Sequence, residues 1–134
     1  MTAFARATQK DLKPAPEIAL SERVEPLAAG PPHQGLHSTD VGDLTWFFPV
    51  GQLTAATYSY GAPGHSWQIV ACTGTSIGEK GMMVAAKALA ASAIDIYRSP
   101  EILQRAREDH KQMLAGQKYV TLIPEGQKAP AKIR

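Results

Sequence analysis

Four histidines, one cysteine and a few closely spaced carboxylates are the groups of this chain that could carry polar chemistry. His65 has the most suggestive setting. It closes Tyr60-Gly61-Ala62-Pro63-Gly64-His65, where two glycines and a proline favour a tight turn that would hold the imidazole at the end of a strand. A neutral imidazole there suits zinc or manganese, with its tautomer set by a further hydrogen bond. Taken alone, a histidine in a Pro-Gly turn is more ordinarily a surface loop residue. The second cluster is His37-Ser38-Thr39-Asp40-Val41-Gly42-Asp43. Asp40 and Asp43 either orient groups in a cleft or cap a turn around Gly42, and two carboxylates three residues apart do not by themselves specify a metal pair. The third is Gly74-Thr75-Ser76-Ile77-Gly78-Glu79-Lys80-Gly81. It lacks the Gly-Lys-Ser/Thr ending of a phosphate-binding loop, although an anion could rest on the helix start that it announces.

The remaining candidates read as structural. His110 falls between Ala106 and Leu114 on the apolar stripe of a helix, a packing position. Cys72 sits in an apolar run and reads as a buried, inert thiol. A Cys-His nucleophilic pair with His65 would need an orienting group and an oxyanion hole that the sequence does not identify. His33 lies in a proline-rich connection.

These residues must be positioned by a small frame. With 134 residues, 44% hydrophobic and 19% charged, the chain can build one modest core, so a single domain is expected. A net charge of +2, with the basic residues spread along the chain, gives no electrostatic footprint for nucleic acid. A lone cysteine excludes an internal disulfide and a cysteine-based zinc site. The N-terminus has no signal-peptide pattern, and the longest apolar stretch, Met82 to Tyr97, is interrupted by Lys87 and Asp95 and too short to span a bilayer. A cytoplasmic, membrane-free protein is the expectation.

Along the chain, Thr2 to Leu12 suggests a short helix that Pro14 and Pro16 end. Residues 14–36 form a proline-rich connection, and a loop of that length is usually functional or packed on another surface. Leu44–Phe48, the alternating Gln52–Tyr58, Ile69–Cys72 and Val120–Ile123 read as short strands. Ser76 with Glu79 fits a capping box for a helix starting at Ile77 and running to Tyr97, apolar almost all round. Ser99-Pro100 starts a second helix, which Gly116 ends, with an apolar stripe of Ile102, Ala106, Met113 and Leu114. Residues 124–134 read as a frayed tail. The expected fold class is therefore α/β, with two or three strands packed under the Ile77–Tyr97 helix.

In their order and spacing, Ser-Thr-Asp-Val-Gly-Asp, Gly-Ala-Pro-Gly-His-Ser-Trp and Ser-Ile-Gly-Glu-Lys-Gly-Met resemble the end of the catalytic domain of dinuclear-metal amidohydrolases. This is the family related to aminoacylases and zinc carboxypeptidases, in its p-aminobenzoyl-glutamate hydrolase branch. The resemblance runs from about Phe4 to Tyr119 and implies a piece of a zinc-peptidase-like α/β catalytic domain. It implies that His65, just ahead of the last long helix, binds one metal ion, zinc or manganese. It further implies that Ser38, Thr39, Asp40 and Asp43 support the site or shape its cleft. His37 departs from the small residue that the pattern has there.

The family's chemistry also needs a glutamate general base and further ligands, carried by an early His-x-Asp and by a Glu-Glu pair. Neither occurs in this chain. The resemblance therefore implies one part of a metal-dependent amidohydrolase acting on an N-acyl amino acid or a p-aminobenzoyl-glutamate-like amide. A missing N-terminal half or a partner subunit would complete it, in a homo- or hetero-oligomer, and the chain by itself would be inactive. The alternatives are a non-catalytic binding or assembly module and a truncated product without function.

Overall fold

The computed structural model describes residues 1–26 and 39–128. His33, His37 and Ser38, much of the proline-rich connection and the last six residues of the tail lie outside the described residues. The elements in chain order are α1 (Thr2–Thr8), α2 (Val41–Leu44), α3 (Trp67–Thr73), α4 (Ser76–Arg98) and α5 (Pro100–Leu114). Two compact units result, one formed by residues 1–26 and 51–100, the other by residues 39–50 and 101–128.

The first unit is held by hydrogen bonds as much as by apolar contact. Its buried apolar residues are Ala5, Ala19, Cys72 and Ile77. Thr8 on α1 lies among them and donates to the Ala5 carbonyl at 2.8 Å; its hydroxyl is also 2.9 Å from that of Ser59 and 3.9 Å from the Cys72 sulfur. Gln9 directs its side-chain amide at the carbonyls of Ile18, Ala19 and Tyr60 at 2.9, 3.3 and 2.9 Å. Arg6 donates to the carbonyls of Pro16 and Glu17 at 2.8 and 2.6 Å. One short helix thus gathers two irregular segments, because buried backbone carbonyls need donors wherever no regular ladder supplies them.

The α/β expectation is overturned. The described residues are 48% helical, and no strand occurs among them. Leu44–Phe48 is the end of α2 followed by a turn: the amides of Phe47 and Phe48 both donate to the Leu44 carbonyl at 3.0 Å. Ile69–Cys72 lies inside α3, where Gln68 and Cys72, four apart, are its buried residues. A run of four apolar residues does not distinguish strand from helix, and here the i,i+4 spacing decides. Of the expected strand Gln52–Tyr58 only the later part alternates: Ala55, Thr57 and then Ser59 turn inward and their neighbours outward, whereas Gln52, Leu53 and Thr54 are all exposed. Residues 52–58 have no backbone hydrogen-bond partner among the described residues, however. Instead, the segment lays its backbone against α4 at Gly81, where an added Cβ would collide with the Ala56 carbonyl oxygen and come within 2.8 Å of the Thr57 methyl group. Val120–Ile123 is irregular.

The two long helices form where the sequence indicates. Thr75, in extended conformation, caps α4 by accepting the Ile77 amide at 3.2 Å. The cap is therefore one residue earlier than the Ser76–Glu79 box requires, and Glu79 is left to favour the helix dipole from the first turn while Arg98 does so from the last. Helix α5 begins at Pro100, whose missing amide costs nothing in a first turn. It ends before Gly116, at φ 80°. Its half-buried face is Ile102, Leu103, Ala106, His110 and Leu114, whereas Met113 is exposed.

Two glycine substitutions test this packing. Alanine favours a helix over glycine by about 1 kcal/mol. At Gly81 the collision with Ala56 outweighs that gain, and Gly81→Ala is expected to destabilise the protein by about 1–3 kcal/mol. Gly42, in α2, has open space around it, so Gly42→Ala should be neutral or stabilising. Urea midpoints of the two variants would check the opposite signs.

Candidate functional site

His65 occupies the turn that leads into α3, not a strand end. The turn is built by Gly61 at φ 74°, where a side chain would press on the Pro16 ring at 2.9 Å, and by the Ala62 amide donating to the Ser59 carbonyl at 3.2 Å. His65 itself has φ 56°. That left-handed conformation is uncommon for a residue with a Cβ, and strained backbone of this kind is concentrated at ligand-binding and catalytic positions. The imidazole is exposed. Directly after it, Ser66 is the N-cap residue of α3, yet its hydroxyl makes no capping bond and is enclosed without a hydrogen-bond partner among the described residues.

Among the described residues, no three histidine, cysteine or acidic side chains converge as a metal-binding group. The donors described in this chain therefore do not fit a complete zinc or manganese site, which takes three or four protein ligands. His65 is a single exposed donor.

The Thr39–Asp43 motif belongs to the second unit, whereas His65 belongs to the first. Thr39 turns the chain: its hydroxyl oxygen accepts the Val41 amide at 3.3 Å and its carbonyl accepts the Gly42 amide at 3.1 Å. Asp40 is the exposed N-cap residue of α2 and makes no side-chain capping bond. Asp43 accepts the Tyr119 hydroxyl at 3.2 Å. His110 Nε2 lies 2.7 Å from the Thr45 carbonyl oxygen, and since a carbonyl only accepts, that nitrogen carries the proton. The Tyr119 ring packs on Phe47 and Trp46 with centroids at 5.1 and 6.3 Å.

In this unit His110 and Asp43 are thus fasteners between the α2 turn, α5 and the segment that follows it. The role of His110 agrees with its place on the apolar stripe. Thr45, Ser66 and Tyr119 were not legible as participants. Tyr119 is 76 positions from its partner Asp43, and no local spacing announces such a pair.

Among the described residues no helix is long and apolar enough to cross a membrane.

Removing the Tyr119 hydroxyl with Tyr119→Phe is expected to cost the second unit about 0.5–1.5 kcal/mol. Tyr119→Ala, which also deletes the ring contacts, should cost about 0.5–1.5 kcal/mol more. Trp46 fluorescence during denaturation, read in a Trp67→Phe background, checks this order.

No family model matches the chain, and no solved structure matches it. Over 109 residues, 81% of this chain, the sequence is 38% identical to the B subunit of p-aminobenzoyl-glutamate hydrolase from Escherichia coli (strain K12). The chain spans 22% of that relative's length. At that identity over that length, the chain is homologous to a segment, about a fifth, of the B subunit of p-aminobenzoyl-glutamate hydrolase.

Proposed function

We propose that this chain is one component of an amidohydrolase that cleaves the amide bond of a p-aminobenzoyl-glutamate-like substrate or another N-acyl amino acid. The observation that carries the reading is the 38% identity over 109 residues to a component of a hydrolase. His65 is its proposed functional residue, one donor to a divalent metal ion, zinc or manganese, whose other ligands come from a polypeptide outside this chain. The exposure of the imidazole and the left-handed backbone that presents it support the assignment. Asp43 ties the second unit's turn to Tyr119, and neither Asp40 nor Asp43 is proposed as a ligand.

The partner is a polypeptide carrying the missing His-x-Asp and Glu-Glu elements, and it supplies the general base that activates water for attack on the amide carbonyl. This chain contributes a ligand and part of the enclosing surface. Alone it has one donor, so it binds zinc weakly and hydrolyses nothing.

The experiment is reconstitution. The chain is mixed or coexpressed with a polypeptide bearing those two motifs, and release of p-aminobenzoate from p-aminobenzoyl-glutamate is followed. Activity is expected only in the mixture, and His65→Ala should lower it by about 10²-fold or more, as befits loss of a group that acts in the reacting assembly. Full activity in the mixture made with His65→Ala would remove His65 from the site. A mixture that forms a complex but is inactive on every N-acyl amino acid tried would favour a non-catalytic assembly module.

A further inference from the structure

We draw no further inference here: the strongest candidate, the enclosed Ser66 hydroxyl at the start of α3 next to the left-handed backbone of His65, belongs to the site already described, and nothing among the described residues shows what would approach it.

Discussion

Gln9 and Thr8 hold together the unit that carries His65. Two N–H groups of the Gln9 side chain serve three backbone carbonyls, those of Ile18, Ala19 and Tyr60, and the Tyr60 amide donates to the Ala19 carbonyl at 2.9 Å. The Gly61–His65 turn therefore leaves from a point fixed by α1, some fifty positions earlier in the chain. Buried side-chain bonds of this kind are unforgiving, since removing one partner leaves the others unsatisfied at about 1–3 kcal/mol each. With Ala5, Ala19, Cys72 and Ile77 as the buried apolar residues, burial supplies little to offset such a loss.

The same economy explains the helices. Helix α3 is short and is used up by its contacts with α1 and α4. Among the described residues, helix α4 is buried only in its first two turns, where Gly78 and Gly81 let backbone approach backbone, and its later apolar residues are exposed. Most of the large apolar side chains among the described residues are consequently outside rather than in a core. A surface of this type is suited to association with a partner, such as one that completes the proposed amidohydrolase.

Much of the helical frame was legible because its signals are local. Pro100 at a first turn, Gly116 past a last one and the alanine-rich body of α4 each act within a few residues, and each stands where the spacing indicates. The strands were not legible, and for two different reasons. Ile69–Cys72 is too short for its periodicity to be read, while residues 54–59 do alternate their side chains as a strand would, but strand identity requires a second segment to pair with, which no local pattern supplies. His65 was identifiable as a turn residue from its glycines and proline. Its left-handed backbone and the tie of Asp43 to Tyr119 were not, because both depend on contacts, such as Gly61 against Pro16, that join distant parts of the sequence.

The central functional claim is that His65 is a metal donor only in company. The most direct measurement is NMR of the chain with isotopically labelled histidine rings, recorded with zinc alone, with the partner polypeptide alone and with both. The account predicts that the His65 ring signals shift to a single metal-bound tautomer only when zinc and partner are both present, while His110, whose Nε2 proton is committed to the Thr45 carbonyl, stays where it is. A zinc-loaded, active complex in which the His65 signals remain those of the free chain would contradict it.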